Sequence, residues 1–363
     1  MRVFLVAGEA SGDKLGAALM AGLSKLVPGV EFEGVGGPLM ADQGLASMFP
    51  MDELSVFGIA EVLPKYRHLK RRIREVAEAV VTSKPDVLIT IDSPDFCLRV
   101  SRLVKAASDV RTVHYVAPSV WAWRPGRAEK MAKSIDQVLA LLPFEPPFME
   151  AAGMRCDFVG HPVTSEPQPS AADVSKFRAD FGIGDAPVLL VLPGSRRGEV
   201  NRLAPVFGEA LRPVLKANPS LRVVLPAAAN VTSAVLDAAK TIGSPGQALA
   251  ASGTVSLELA AAQTPMVIAY DMNWLSWQIM SRMLRTKTVT LVNLVSGENT
   301  VSEFLGPACK PEAIAKALNT LIQDQAVRDK QVHAMVETMT KLGKGDTEPG
   351  LRAARAVLDG LQP

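Results

Sequence analysis

The sequence has few cysteines, few aromatic residues and no long apolar run. Its three cysteines, Cys97, Cys156 and Cys309, lie far apart and form no CxxC pair, which argues against a cysteine-based zinc site and favours a reducing cytoplasm. The apolar run Val3–Ala7 is too short for a signal peptide or a membrane span. The sequence therefore predicts a soluble cytoplasmic protein, and 363 residues suffice for two domains with separate cores.

Neither sign of charge predominates, because the chain has 39 basic and 37 acidic residues and a net charge of +2. This balance argues against nucleic acid as a main partner. Neither glycine-rich loop fits the Walker A pattern GxxxxGK[ST] or the dinucleotide pattern GxGxxG, and no GxSxG occurs. These absences argue against a P-loop protein, a dehydrogenase and a serine hydrolase. Asp and His also show no clustering at metal-binding spacing, so we expect no metal and no cofactor.

Two apolar strands each run into a loop rich in Gly and Ser, about half the chain apart. Val3–Ala7 is followed by Gly8-Glu-Ala-Ser-Gly-Asp13, and Val188–Leu192 by Pro193-Gly-Ser-Arg196. A buried strand that ends in such a loop before a helix opens a doubly wound nucleotide-binding domain. We therefore predict an α/β chain with two Rossmann-like domains that face each other across a cleft. Further apolar runs without alternation indicate parallel strands covered on both faces: Val87–Ile91, Thr112–Val116, Val138–Leu142, Val223–Leu225 and Met266–Ala269.

The Pro- and Ser-rich stretch Pro162–Ser170 predicts a domain boundary. It separates a first domain at 1–165 from a second at 172–340, and the tail 341–363 holds a last helix that could pack back on the first domain. After a predicted helix over Thr232–Ile242, the chain reaches Ser252 almost at once. The second domain is therefore either one strand short, or a segment is missing from the sequence.

Two acids follow the strand Val87–Ile91, at the carboxyl end where open α/β sheets bind ligands. Asp92 could act as a general base, because apolar walls raise the pKa of a carboxyl into a useful range. The alternative is that Asp92 or Asp95 only caps the following helix. After the next strand, Trp121 and Arg124 could form an apolar and cationic wall for a sugar or an acyl chain, or the loop could be a hydrophobic plug.

The second domain offers two candidate phosphate sites. The loop Gly194-Ser195-Arg196 combines a tight turn, open amides and a guanidinium that can bind phosphate through two bonds. A helix start at Ser252-Gly253-Thr254 could hold a diphosphate at its amides, with a ribose hydroxyl at Glu258. The alternative there is a capping box from Thr254. His161, between a glycine and a proline, is more simply structural than catalytic.

An apolar and basic segment follows residue 54. Such a combination suits an anionic membrane surface, and the alternative is an ordinary half-buried helix with a solvated face. Its apolar part holds Val56, Phe57, Ile59, Val62 and Leu63, and its basic part holds Lys65, Arg67, Lys70, Arg71, Arg72 and Arg74.

Ten ordered segments along nearly the whole chain resemble the lipid-A-disaccharide synthase family, whose members are glycosyltransferases of the GT-B type. The most specific lies within Tyr115–Arg124 and reads Pro-Ser-Val-Trp-Ala-Trp-Arg. The others are Ala7–Asp13, Gly34–Pro38, Phe57–Val62, Ile91–Phe96, Leu142–Glu145, Phe158–Pro162, Leu192–Arg196, Ser252–Thr254 and Pro265–Val267.

The resemblance implies transfer of 2,3-diacylglucosamine from its UDP donor to the 6-hydroxyl of 2,3-diacylglucosamine 1-phosphate. A β-1′,6 linkage forms and UDP is released. Asp92 then matches the family's essential acid and Arg196 its key donor-site arginine. The basic helix matches the part expected to meet the inner face of the cytoplasmic membrane, and family members often associate as dimers. The remaining candidates are Gly194, Ser195, Ser252, Gly253, Thr254, Glu258 and Asn293 for the donor, and Glu9, Ser11, Asp95, Trp121 and Arg124 for the acceptor or its loops.

The second domain departs from the family pattern in two places. A strand and a short helix before Ser252 are nearly absent, and Gly297-Glu298 stands where the family commonly has a Gly-Arg pair. An acid beside a diphosphate could weaken donor binding. Two rival functions stay open: a UDP-sugar 2-epimerase, which would turn over UDP-N-acetylglucosamine alone, and a non-catalytic lipid- or nucleotide-sugar-binding relative.

Overall fold

The computed structural model describes residues 1–54, 59–124, 126–226, 248–250 and 255–362, with side chains except at 59–65, 248–250 and 275. The chain divides into two compact units. The first unit consists of Met1–Ser165 together with Leu342–Pro363, and the second of Glu166–Lys341.

The first unit is built on a parallel sheet of seven strands. Their order is that of a Rossmann domain, extended by one strand at the end, and the order reverses between the first and fourth strands. The strands are β1 (Arg2–Ala7), β2 (Glu31–Val35), β3 (Ala46–Ser47), β4 (Val87–Ile91), β5 (Arg111–Tyr115), β6 (Gln137–Ala140) and β7 (Arg155–Phe158), in the order β3-β2-β1-β4-β5-β6-β7. The helices are α1 (Ala10–Leu26), α2 (Pro38–Ala41), α3 (Ile59–Ser83), α4 (Pro94–Ala107), α5 (Gly126–Met131) and α6 (Pro146–Glu150).

Alternate residues of β1 enter two separate apolar clusters, one on each face of the sheet. Val3, Leu5 and Ala7 pack with residues of α1, whereas Phe4 and Val6 pack with residues of α3 and α4. Because both faces are covered, the strand is apolar at every position rather than at every second one.

The second unit has five parallel strands among the described residues. The predicted shortening, between Ile242 and Ser252, lies outside that part except for one central strand of three residues. The strands are β8 (Val188–Leu192), β9 (Arg222–Val224), β10 (Ala248–Ala250), β11 (Met266–Tyr270) and β12 (Ser302–Leu305), in the order β12-β11-β10-β8-β9. The helices are α7 (Ala171–Asp180), α8 (Arg197–Ala217), α9 (Val255–Ala261), α10 (Trp274–Met283), α11 (Leu291–Ser296), α12 (Pro311–Gln323) and α13 (Gln325–Lys341).

The last helix, α14 (Pro349–Leu361), belongs to the first unit and packs on α1. Glycines allow the two backbones to approach closely, since a Cβ on Gly22 would lie 2.6 Å from the carbonyl oxygen of Gly350. The side-chain amide of Gln137 in β6 donates to the carbonyl of Ala356 at 2.8 Å. The prediction that the tail helix packs back on the first domain is confirmed.

Candidate active site

The loops after β1 and β4 meet at the point where the strand order of the first sheet reverses. Asp92, directly after β4, accepts hydrogen bonds from the backbone N–H of Ser93 and from the hydroxyl of Ser11. Burial raises the pKa of Asp92 above its usual value, and these two hydrogen bonds oppose the rise. The hydroxyl of Ser93 donates to Glu9 Oε1 at 3.5 Å. The structure therefore brings Asp92, Ser11 and Glu9 together at this edge of the sheet.

The backbone around Asp92 is strained. Asp92 and Ser93 have φ values of 51° and 40°, and Val116, after the neighbouring β5, has a φ of 83°. Each such conformation costs a non-glycine residue on the order of 1–3 kcal/mol, and such residues cluster at functional sites. Gly8 is required beside them, because a Cβ there would lie 2.5 Å from Ser93 Oγ. A side chain at position 8 would therefore press on Ser93, the residue next to Asp92.

The Trp121 side chain is anchored within the first unit. Its indole N–H donates to Glu145 Oε1 at 3.3 Å, and its ring meets Phe144 edge-on at 5.2 Å between centroids. These contacts favour the plug interpretation for Trp121. Arg124, in contrast, is exposed and stacks on Trp123 at 4.6 Å.

Glu145 was not among the predicted site residues, although it ends one of the segments that carry the resemblance. Its carboxyl is buried and also accepts the backbone N–H of Leu142 at 3.0 Å. Burial raises the pKa of Glu145 to about 7, although hydrogen bonds from Leu142, Trp121 and Leu141 act to lower it.

Asp13 is a second residue that sequence reasoning missed. Its buried carboxylate accepts the backbone N–H groups of Gly37, Leu39 and Met40 at 2.9–3.0 Å. It therefore holds the Gly-rich segment after β2 against the start of α1. The signal was available, since Asp13 and Gly34–Pro38 both lie in segments that carry the resemblance.

In the second unit, the predicted phosphate loop already binds a carboxylate of the chain itself. The backbone N–H groups of Ser195 and Arg196 both donate to Glu199 Oε2 at 3.2 Å. The Arg196 guanidinium lies 3.1 Å from Glu199 Oε1. Gly194 has a φ of 116°, and a Cβ there would lie 2.7 Å from the Glu199 Cβ. The amides after Gly194 are thus arranged for an anionic oxygen, and Glu199 supplies one.

The structure gives Asn293 a role other than the predicted contact with the donor. Its side chain is buried, and its amide donates to the Val301 carbonyl at 2.9 Å and to Thr288 Oγ1 at 3.2 Å. Its Oδ1 accepts the Val301 N–H at 3.0 Å. Asn293 therefore joins α11 to the segment before β12, and its side chain is committed to protein partners.

The other donor candidates are only partly placed. Glu258 is exposed in the first turn of α9. Glu298, the acid that could weaken donor binding, is exposed after α11. Ser252, Gly253 and Thr254 lie outside the described residues. Their predicted contact with the nucleotide stays a prediction.

The basic helix α3 has one buried and one exposed face. Ile73, Val76, Ala77 and Val80 are buried, and the exposed face carries Arg67, Lys70, Arg71 and Arg74. Val56 and Phe57 lie outside the described residues, as do the side chains of Val62, Leu63 and Lys65.

Arg72 differs from the prediction that it faces a membrane. Its guanidinium is bound to Glu53 and Glu75, both at 2.8 Å, and lies over the Phe49 ring at 4.2 Å. The same hydrogen bond from Arg72 is the main reason that the pKa of Glu53 is lowered to about 2. We therefore leave Arg72 out of the exposed basic face.

Two kinds of feature are absent from the described residues. No helix there is long and apolar enough to cross a membrane. No three His, Cys, Asp or Glu side chains in the same residues come together in a way that could hold a metal ion.

Two Rossmann-like units with these loops define an α/β protein of the GT-B class, which the sequence predicted. The structure resembles UDP-GlcNAc 2-epimerase from Neisseria meningitidis, with a TM-score of 0.64, 13% identity and 99% of each chain covered. It also resembles the calicheamicin glycosyltransferase CalG4, with a TM-score of 0.58, 19% identity, and 99% and 98% of the two chains covered. At these identities the likeness shows the fold alone.

The sequence comparisons identify the family. The family model described as lipid-A-disaccharide synthetase matches residues 3–352. The lipid-A-disaccharide synthase of Ruegeria pomeroyi is 61% identical over 386 positions, covering 99% of this chain and 96% of the relative. That of Rhodospirillum centenum is 46% identical, covering 98% and 94%. The chain belongs to the lipid-A-disaccharide synthase family, and its predicted enzyme class, a glycosyltransferase, is confirmed with it.

One of these alignments is longer than this chain. The alignment with the Ruegeria pomeroyi protein has 386 positions, more than the 363 residues of this chain. The relative therefore has residues without a counterpart here.

Proposed function

We propose that this chain transfers 2,3-diacylglucosamine from UDP to the 6-hydroxyl of 2,3-diacylglucosamine 1-phosphate, forming the lipid A disaccharide and releasing UDP. The 61% identity to a lipid-A-disaccharide synthase over nearly the whole of both chains carries this proposal. The hydrogen-bonded Asp92 at the carboxyl edge of the first sheet supports it independently.

Asp92 is the general base of the proposed reaction. Its carboxylate accepts the proton of the acceptor 6-hydroxyl while that oxygen attacks the anomeric carbon from the face opposite UDP. Burial makes the carboxylate a stronger base than one in water, and Ser11 and the Ser93 amide orient it. Glu9, through Ser93, belongs to the same set and faces the acceptor.

Arg196 is the donor-side cation. Its guanidinium stabilises the charge that develops on the leaving diphosphate, and its contact with Glu199 holds it at the end of β8. Because Glu199 occupies the amides of Ser195 and Arg196, diphosphate oxygens reach these amides only by replacing that carboxylate. Ser252–Thr254 and Glu258 complete the proposed donor site.

The exposed basic face of α3 is the proposed contact with the anionic inner surface of the cytoplasmic membrane. Arg67, Lys70, Arg71 and Arg74 recur at helical spacing on that face, and each cation near such a surface contributes about 1 kcal/mol. The acylated substrates would then be taken from the bilayer by a peripheral enzyme. A homodimer stays a prediction, to be tested by sedimentation.

UDP release by the purified chain in detergent tests the function. We expect release from UDP-2,3-diacylglucosamine only when 2,3-diacylglucosamine 1-phosphate is present. Asp92→Asn should lower turnover by about 10²–10⁴-fold, the usual contribution of a general base, whereas the exposed Asp109→Asn should not. Arg196→Ala should lower it too, with Arg212→Ala, an exposed arginine of α8, as the matched control.

Three outcomes would contradict the proposal. Full turnover by Asp92→Asn would remove the base assignment. Turnover of UDP-N-acetylglucosamine alone would favour the epimerase. No UDP release from folded protein would favour a non-catalytic relative.

A further inference from the structure

A small groove lies between α4 and α5 of the first unit, beside the loop that holds Asp92. Its volume is about 210 Å³, below the range of about 300–1,000 Å³ that holds a drug-sized ligand. It can therefore take one small group rather than a whole nucleotide sugar. The groove is lined by Pro94, Asp95, Leu98, Arg99, Arg102, Arg127, Lys130 and Met131.

Helical spacing brings the lining residues together. Asp95, Leu98, Arg99 and Arg102 recur at three- and four-residue intervals and form one face of α4. Arg127, Lys130 and Met131 follow the same spacing on α5. The groove begins at Pro94, two residues after Asp92, and Arg102 lies on the order of 10 Å along α4 from Asp95, at about 1.5 Å per residue.

The groove concentrates positive charge. Three arginines and a lysine line it against the single carboxylate of Asp95. Within the described part of the chain, none of these four cations lies within ion-pair distance of an acid. The next basic residue of α4 behaves differently, since Lys105 binds Asp136 at 2.7 Å. The four cations of the groove repel one another, and a bound anion would relieve that repulsion.

We propose that this groove binds a phosphate monoester. Arginine guanidinium groups match phosphate oxygens through pairs of hydrogen bonds, and a lysine adds a point charge. Two sources share this chemistry: the 1-phosphate of the acceptor sugar and the headgroup of an anionic lipid. The nearness of the groove to Asp92 favours the acceptor, an assignment that rests on the proposed function. Asp95 lies near the Asp92 end of the groove, where its carboxylate can accept a hydrogen bond from a sugar hydroxyl.

Direct binding to the full chain tests the groove without relying on turnover. The probes are glucosamine 1-phosphate and, as the uncharged comparison, glucosamine, measured by calorimetry. We expect the wild type to bind the phosphate and to prefer it to glucosamine. Arg99→Gln/Arg102→Gln should lower the affinity at least about tenfold, since each charged hydrogen bond removed weakens binding. Lys130→Gln should also lower it, whereas Lys133→Gln, an exposed lysine of the segment after α5, should not.

Two further measurements separate the sources. If the acceptor supplies the phosphate, Arg99→Gln/Arg102→Gln raises the acceptor KM at least about tenfold and leaves the donor KM unchanged. For an acceptor without the 1-phosphate, the KM of the double variant would then equal that of the wild type. If a lipid supplies it, the same variant loses binding to vesicles that contain phosphatidic acid, and the acceptor KM stays as in the wild type.

No binding of either phosphate probe by the wild type, or equal binding by the double variant, would overturn the proposal. Acceptor-dependent UDP release by the wild type tests the proposed function separately, so the two can fail independently. Because Arg99, Arg102 and Lys130 are exposed, their substitution should leave the fold intact.

Discussion

Replacing Glu145 with glutamine should remove a pH-dependent loss of stability from the first unit. Glu145 is 3% exposed, and its carboxyl accepts hydrogen bonds from Trp121 and Leu142. Its pKa is raised from 4.5 to about 7 by burial. The unfolded chain therefore loses this proton at lower pH than the folded chain does. Between the two pKa values the folded state binds more protons, so the free energy of unfolding falls as pH rises.

The size of the effect follows from the two pKa values. At about 1.36 kcal/mol per pKa unit, the whole shift corresponds to about 3 kcal/mol. The part that falls between pH 5 and pH 8 is about 2.5 kcal/mol. The stabilisation is fully present below the unfolded pKa and is lost once the pH exceeds the folded one. A glutamine at this position has no proton to lose, so its contribution stays constant.

Trp121 offers a local probe, because its indole N–H is bonded to this carboxyl. Urea unfolding at pH 5 and pH 8 would be followed by its fluorescence in a chain whose other three tryptophans are phenylalanine. We expect the parent to lose about 2.5 kcal/mol more than Glu145→Gln between these pH values. Glu150→Gln, an exposed glutamate at the end of α6, should behave like the parent. Equal losses in the parent and Glu145→Gln would refute the reasoning.

Three further substitutions test other contacts. Gly8→Ala should lower turnover at least about tenfold and cost about 1–3 kcal/mol of stability, because the new Cβ pushes on Ser93 beside Asp92. Normal turnover by this variant would show that the contact between Gly8 and Ser93 does not position the base. Asn293→Ala should cost about 1–3 kcal/mol in urea unfolding, since it leaves buried groups of Val301 without partners, and a raised donor KM at full stability would instead return Asn293 to the donor site. Glu199→Ala should cost about 1 kcal/mol through loss of the α8 cap, with the exposed Glu209→Ala as its control.

Most central strands could be predicted from the sequence, because strands covered on both faces are apolar at every position. Val87–Ile91 and Val188–Leu192 match β4 and β8 residue for residue. The strands that were missed carry charges or are very short. β2 reads EFEGV, β7 reads RCDF and β12 reads SEFL, as expected of strands at or near a sheet edge, where one side is open to water.

The candidate site was predictable where it depends on position along the chain and not where it depends on side-chain partners. Asp92 follows a buried strand, and that alone places it at the carboxyl edge of the sheet. The partners of Asn293 lie five to ten residues away along the chain, and only the fold brings them together. The capping role of Glu199 was predictable in principle, since a glutamate three residues after the N-cap residue is a helix-capping signal.

The return of α14 to the first unit constrains the order in which the chain can fold during synthesis. Domains generally fold as they leave the ribosome, the N-terminal one first. Here Ala353, Ala354 and Val357 of the last helix belong to the same apolar cluster as β1 and α1, so the first core stays incomplete until α14 has been made. The second unit, in contrast, is one continuous segment, Glu166–Lys341. The unit that is begun first is therefore completed only after the second unit has been made, and the apolar surface of α1 needs protection until then.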